Sequence, residues 1–281
     1  MRGIAFSLVL FFAGHVNADC SPAKNPSRIA VAGGSITELI YLLKRDSQII
    51  AVDTTSNYPD ETSALPSIGY VRNLSAEGIL SLKPTLILGE HDMGPPEVLE
   101  QLKKVSLEVK RVKERQSAEG IVEKFACLAK ILHVPSSETN RIKTVLQGQV
   151  ADLEKIKKRT NHGPRVALIL SFIDGSPILA GNKTSGNGVL EMIGAINVFS
   201  DIEGWKPATR ESVLIRNPDH LVITERGLKA QGGIEILRKN PALRSITAVR
   251  NGHIHALDGM ALLGFGPRTL ETAILLSEKL R

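Results

Sequence analysis

An α/β fold of two lobes with mainly parallel central sheets, joined by a single long backbone helix, is the class this sequence predicts. Three observations lead to it. Short apolar runs alternate with helical stretches between residues 28 and 134, the pattern of a sheet whose parallel strands are linked by crossover helices. An unbroken helical stretch then fills residues 136 to 160, and a second strand–helix alternation opens at Val166. The 281 residues, 42% hydrophobic and 23% charged, suffice for two ordinary domains and are too apolar for a disordered chain. Thirty-five Lys and Arg against twenty-nine Asp and Glu leave a net charge of +6 with no basic block. That balance argues against nucleic acid as a partner and is compatible with an anionic small ligand.

Residues 1–18 read as a signal peptide, with a positive start at Arg2, an apolar core over residues 4–12 and a small-residue cleavage site at Val16-Asn17-Ala18. The expectation is export to the periplasm, with Asp19 as the first mature residue. The N-terminal lobe is assigned to residues 19–135. Arg28-Ile29-Ala30-Val31-Ala32 makes a buried strand, Gly33-Gly34 turns the chain, and Ser35 or Thr37 caps a helix reaching Leu43. Further strands follow at residues 49–52, 86–88 and 109–112. In the linker, assigned to 136–162, Ile142, Val145, Leu146, Gln149, Leu153 and Ile156 recur at near-helical spacing with charges between them. A helix of this length spans about 35 Å at 1.5 Å per residue, and Asn161-His162-Gly163-Pro164 stops it. The C-terminal lobe, residues 163–281, opens with a strand at 166–170.

The two halves share a feature. Ser75-Ala76-Glu77-Gly78-Ile79-Leu80-Ser81-Leu82-Lys83-Pro84 resembles Thr209-Arg210-Glu211-Ser212-Val213-Leu214-Ile215-Arg216-Asn217-Pro218, with Glu, Leu and Pro at matching offsets. Each reads as a short capped helix that runs into Pro and then an apolar strand, which makes the lobes pseudo-equivalent.

Reactive constellations are sparse. The sequence has no G-x-S-x-G elbow, no phosphate-binding G-x-x-x-x-G-K-[ST] loop and no H-E-x-x-H helix. Gly33-Gly34 lacks dinucleotide-loop spacing and reads as a tight turn. Among seven histidines, His15 leaves with the signal peptide, and His133, His162 and His220 look like helix-end, turn and strand-edge residues. His91 and the His253/His255 pair remain, the pair on one face of a strand by its period of two. A metal-dependent hydrolase built on these three is the rival from another functional class, though no acid, base and nucleophile stand at an interpretable spacing. Cys20 and Cys127 would both enter an oxidising compartment. A disulfide between them is one reading, and a terminal thiol with a separate thiol in the helix around Phe125 is the other.

The run Leu65-Pro66-Ser67-Ile68-Gly69-Tyr70-Val71-Arg72-Asn73-Leu74, continuing to Pro84, is the sharper signal. With Ile29-Ala30-Val31-Ala32-Gly33-Gly34-Ser35-Ile36-Thr37-Glu38, Asp53-Thr54-Thr55-Ser56, Gly94-Pro95-Pro96 and Leu262-Leu263-Gly264-Phe265-Gly266-Pro267-Arg268, it resembles the periplasmic haem-binding proteins of bacterial haem-uptake ABC transporters. These sit within a wider class of helical-backbone substrate-binding proteins that carry siderophores and vitamin B12. The resemblance covers most of the mature chain.

It implies a non-enzymatic, monomeric carrier that holds haem (iron protoporphyrin IX) as transported ligand in the inter-lobe cleft. Tyr70 stands at the family's axial ligand to haem iron, Arg226 at the arginine that hydrogen-bonds the tyrosinate, and Arg72 at a position that pairs with a haem propionate. A phenolate is a hard anionic donor suited to ferric iron. Where some members carry a histidine for a second haem, this sequence has Phe172, which implies one haem per chain with Phe172 packing over the porphyrin. Glu77 and Glu211 match the surface glutamates that dock an inner-membrane ABC permease with its ATPase. An outer-membrane receptor would supply the haem. The near alternative is the same fold carrying a ferric siderophore or a cobalamin.

Overall fold

A computed structural model of the chain describes residues 20–159 and 162–281. The expected signal peptide at 1–18, Asp19, and the linker positions Thr160 and Asn161 lie outside the described residues. No helix among the described residues is long and apolar enough to cross a membrane.

The first half builds β1 (Ile29–Ala32), α1 (Gly34–Leu42), β2 (Ile49–Val52), the small strands β3 (Gly69–Tyr70) and β4 (Asn73–Leu74), α2 (Ala76–Ser81), β5 (Leu86–Glu90), α3 (Pro96–Lys104), β6 (Glu108–Val112) and α4 (Ala118–Ile131). Strands β2, β1, β5 and β6 form a four-stranded sheet in that order, parallel throughout. Both faces of this sheet are covered, so β1, β2 and the Leu86-Ile87-Leu88 stretch of β5 are continuously apolar, whereas the edge strand β6 carries Glu108, Lys110 and Arg111. Along β1 the side chains alternate in size: Ile29 and Val31 point into one core, Ala30 and Ala32 into another.

Helix α5 (Ser136–Arg159) follows as a single 24-residue rod. Leu146 and Leu153 are buried on it and Ile142, Val150 and Ile156 pack beside them, whereas Val145, which the spacing had placed on the same stripe, faces solvent. It packs against α4 and later helices of the second half.

That second half comprises β7 (Arg165–Ile173), β8 (Ser176–Ala180), α6 (Ser185–Met192), β9 (Ile196–Asn197), β10 (Trp205–Pro207), α7 (Arg210–Arg216), β11 (His220–Thr224), α8 (Glu225–Ala230), α9 (Ile234–Lys239), α10 (Thr247–Arg250), β12 (Ile254–Leu257), α11 (Gly259–Leu263) and α12 (Pro267–Lys279). Its sheet runs β10-β8-β7-β11-β12, with β9 on the end of β7. The strands β9, β7, β11 and β12 are parallel, while β8 and β10 are antiparallel additions. The β7–β8 hairpin turns at Asp174-Gly175, both at positive φ, a conformation the Asp-Gly pair favours.

Three apolar clusters layer the molecule. One backs the first sheet with α2 and α3, and one backs the second with α9 and α10. The third lies between, and takes Ile29, Val31, Leu86 and Leu88 from the first sheet, Val166, Leu168 and Val222 from the second, and Leu146 and Leu153 of α5. The C-terminal helix α12 joins it through Leu270, Ala273 and Leu276, so the two lobes share one core.

Cys20 and Cys127 are bonded, with Cα atoms 5.0 Å apart. The bridge pins the start of the described chain to α4. It closes a loop of 107 residues, and a crosslink over so long a loop restricts the unfolded chain strongly. Replacing both cysteines by serine is expected to lower stability by about 2–5 kcal/mol, measured from urea unfolding curves of oxidised wild type and the double variant.

Candidate ligand-binding site

The carboxyl ends of both sheets meet at one seam, the place where open α/β sheets bind ligands. Its floor is the turn after β1. The sequence had placed a cap at Ser35 or Thr37, but both lie inside α1 and its N-cap is Gly33. The hydroxyls are taken by tertiary partners: Ser35 Oγ donates to Glu90 Oε1 at 2.7 Å, and Thr37 Oγ1 meets Ser56 Oγ at 2.8 Å. The first amides of the helix are likewise occupied. Gly33 N donates to Asp53 Oδ1, Gly34 N to Thr55 Oγ1 and Ser35 N to Glu90 Oε1. A phosphate has no free donors here, and two carboxylates already stand in its place. Gly34 lets the loop after β2 close on the start of α1, since a Cβ there would sit 2.7 Å from the Thr55 carbonyl oxygen, and Met260 Cε of the other lobe lies 2.5 Å from the same point.

Two charged groups bind the seam. Lys124, with 1% of its side chain exposed, pairs with Glu114 at 2.7 Å, donates to Ser35 Oγ at 2.9 Å and reaches Phe265 O at 3.2 Å across the lobes. Arg268, at the start of α12, donates to Glu38 Oε1 of α1 at 2.6 Å and to Asp258 Oδ1 at 3.1 Å. Its guanidinium stacks 3.8 Å over the Tyr58 ring. Burial raises the Glu38 carboxyl above its usual range although Arg268 opposes the rise.

Tyr70 stands above this floor on the β3–β4 hairpin, paired with Asn73 and 41% exposed. The buried turn residue Val71 anchors the hairpin, and Gly94 clamps it from both sides: Gly94 N donates to Val71 O and Leu74 N to Gly94 O. That docking carries Asp92 to Arg72, whose Nε donates to Asp92 Oδ2 at 2.6 Å while its Nη1 donates to the Tyr70 hydroxyl at 3.0 Å. Partial burial works against the Arg72 charge, but Asp92's hydrogen bond and charge outweigh it and raise the guanidinium's pKa. Asp92 was not singled out in the sequence; the signal that could have found it is an acid just before Gly94-Pro95-Pro96.

Other expected site residues are dispersed. Arg226 lies exposed in the first turn of α8, at the carboxyl end of β11; the arginine that meets the phenol is Arg72. Phe172 packs against the second lobe's own cluster, next to the exposed Ile173 at the hairpin tip.

The comparisons with known proteins agree with this architecture. A family model described as "Periplasmic binding protein" matches residues 29–261. The chain belongs to that periplasmic binding protein family. Among solved structures, the periplasmic heme-binding protein RhuT from Roseiflexus sp. RS-1, in apo form, is 33% identical with a TM-score of 0.84, covering 90% of this chain and 97% of its own. The periplasmic heme-binding protein HutB of Vibrio cholerae is 32% identical with a TM-score of 0.80, covering 91% and 99%. The vitamin B12-binding protein of Pectobacterium atrosepticum is 29% identical over 202 residues, 70% of this chain and 71% of that protein.

For a periplasmic binding protein the duplicated helices are of interest, and the structure makes them equivalent in detail. Ser75 caps α2 and Thr209 caps α7, each accepting from the amide three residues on; Ile79 and Val213 are fully buried. Lys83 and Asn217 both take positive φ before their prolines. Glu77 and Glu211 are thereby exposed in matching first turns.

The histidines do not assemble as the hydrolase reading required. His253 and His255 flank His220, with ring centroids at 4.8 and 5.4 Å, so His220 is part of a stack and not an isolated strand-edge residue. His91 lies apart in the loop after β5 of the other lobe. Among the described residues no three His, Cys, Asp or Glu are arranged to hold a metal ion.

At the seam, burial raises the Glu90 carboxyl to about 7, Lys124 opposing and Glu114 adding to the rise. A carboxyl that binds its proton more tightly when folded contributes stability that is complete below about pH 4.5 and lost as pH rises through about 7. The Glu90 contribution alone therefore falls by on the order of 2 kcal/mol between pH 5 and pH 8, while His255, which burial holds at about 4, destabilises the fold toward pH 5 and works in the opposite sense. The stability advantage of wild type over Glu90→Gln, from urea unfolding at the two pH values, should shrink by that amount from pH 5 to pH 8.

Proposed function

We propose that this periplasmic binding protein carries one ferric haem between its lobes, with the Tyr70 phenolate as axial ligand to the iron, and delivers it to an inner-membrane ABC importer. The observation that carries this reading is the exposed Tyr70 phenol at the seam with a guanidinium 3.0 Å from its oxygen. A hard anionic oxygen suits ferric iron, and tyrosine is an established axial ligand of haem. The RhuT and HutB likenesses support haem as cargo. Arg226 supplies a further cation on the facing lobe, and Phe172 with Ile173 gives that lobe an apolar edge. The protein reaches this compartment by the N-terminal signal peptide and takes haem from an outer-membrane receptor system. Glu77 and Glu211 dock the two permease subunits, whose ATPase drives import.

The vitamin B12-binding relatives favour a second reading, the same scaffold with a cobalamin as cargo. One titration separates them. Ferric haem and cyanocobalamin are added to the mature protein and to Tyr70→Phe, followed by visible absorption. The expected result is saturation at one haem per chain, phenolate-to-iron charge-transfer bands that vanish in Tyr70→Phe, and no uptake of cobalamin. Tight cobalamin binding without specific haem uptake would replace the haem reading. Glu77→Ala with Glu211→Ala is expected to leave haem binding intact and to abolish stimulation of the importer's ATPase in proteoliposomes.

A further inference from the structure

The family resemblance gives the phenol's partner as Arg226 and the propionate's partner as Arg72. The geometry points to the reverse assignment: Arg72, oriented by Asp92, is the partner of the Tyr70 phenolate, Asp92 is a positioning residue for the iron ligand, and Arg226 serves a carboxylate of the cargo. This inference rests on the reading of Tyr70 as iron ligand.

Asp92 Oδ2 takes two nitrogens of the same guanidinium, Nε at 2.6 Å and Nη2 at 2.5 Å. These lie on one edge of a rigid planar group. With that edge fixed, Nη1 on the other side has its direction set, and it meets the Tyr70 oxygen at 3.0 Å. No second donor draws the carboxylate elsewhere, since Asp92 Oδ1 is buried and bonds to nothing among the described residues. The loop that holds Asp92 is itself fixed, by the two Gly94 hydrogen bonds to the hairpin and by buried Met93. All three side chains belong to the first lobe, so the ligand oxygen and its countercharge are assembled without the second.

When the phenol binds iron its proton leaves to water and an Fe–O bond forms. The remaining negative charge is offset by a cation on the same oxygen, and a hydrogen bond to a charged group changes affinity by about tenfold or more. Arg226 makes no ion pair among the described residues. Its charge is free for an anionic group of the cargo, whereas the Arg72 charge is already shared.

The test is a titration of mature wild type, Asp92→Asn, Arg72→Lys, Arg226→Ala and Tyr70→Phe with ferric haem and, in parallel, with its dimethyl ester, which lacks the propionate charges. Asp92→Asn and Arg72→Lys are expected to weaken both porphyrins to the same extent, about tenfold. They should also raise by about one unit the pH at which the charge-transfer bands reach half height, a shift that a purely structural loss would not produce. Arg226→Ala should weaken haem and leave the ester unaffected. An Arg72→Lys defect confined to haem, or Asp92→Asn behaving as wild type at every pH, overturns the assignment while the Tyr70 reading stands. Tyr70→Phe with unchanged bands and affinity would overturn the Tyr70 reading itself. Thermal unfolding of each variant checks its fold, and Arg72→Lys carries the test if Asp92→Asn fails to fold.

Discussion

A buried ammonium organises the centre of this molecule. Lys124 lies inside the core that the two lobes share, and its three hydrogen-bond partners come from the segment after β6, from α1 and from the turn before α12. A charge in such a place costs several kcal/mol unless it is paired and fully hydrogen-bonded. The surrounding chain therefore has little choice of arrangement. Glu114 must stay at 2.7 Å, Ser35 must turn its hydroxyl oxygen toward the ammonium, and that hydroxyl then donates to Glu90. Glu90, with Asp53 and Thr55, closes the N-terminus of α1. The loops that carry Tyr58, Tyr70 and Asp92 all leave from this fixed floor.

The shared core also limits motion. Separating the lobes would expose the apolar contacts of the inner cluster, break the Arg268 bonds to Glu38 and Asp258, and strand Lys124. Hinge closure of the wide kind uses a few loop residues that absorb large changes in backbone angles. Here the connection is the 24-residue α5 packed along its length against α4 and α12, together with that core. A site on such a frame recognises its cargo by surfaces already in place, which limits the ordering cost of binding.

Relatives that share this frame are named for heme and for vitamin B12, as expected when a fold hosts many ligands through the side chains on its loops. In this chain the hairpin at residues 69–74 carries such side chains. A two-residue turn raises one phenol into solvent while Val71 and Leu74 anchor it below, and the same turn presents the arginine that meets the phenol oxygen.

Whatever depends on near neighbours was legible in the residues alone. The apolar runs of β1, β2, β5 and β11 were readable because strands buried on both faces carry no polar interruptions. Helix α5 was readable from its periodicity, and the capped helices at Glu77 and Glu211 from a side chain that bonds three residues away. The Asp174-Gly175 turn was equally local and marks the β7–β8 hairpin, an antiparallel element that the parallel-sheet reading passed over. The remaining contacts exist only in the folded chain. Cys20 meets Cys127 across 107 positions, Arg268 meets Glu38 across 230, and Arg72 meets Asp92 across 20. The hydroxyls of Ser35 and Thr37 favour helix caps when isolated, yet here they serve partners from other strands and loops. His220 joins His253 and His255 because β11 pairs with β12 in parallel. Such pairings follow from sheet order and the docking of loops, and these are settled by burial of the whole apolar surface and not by any local stretch of chain.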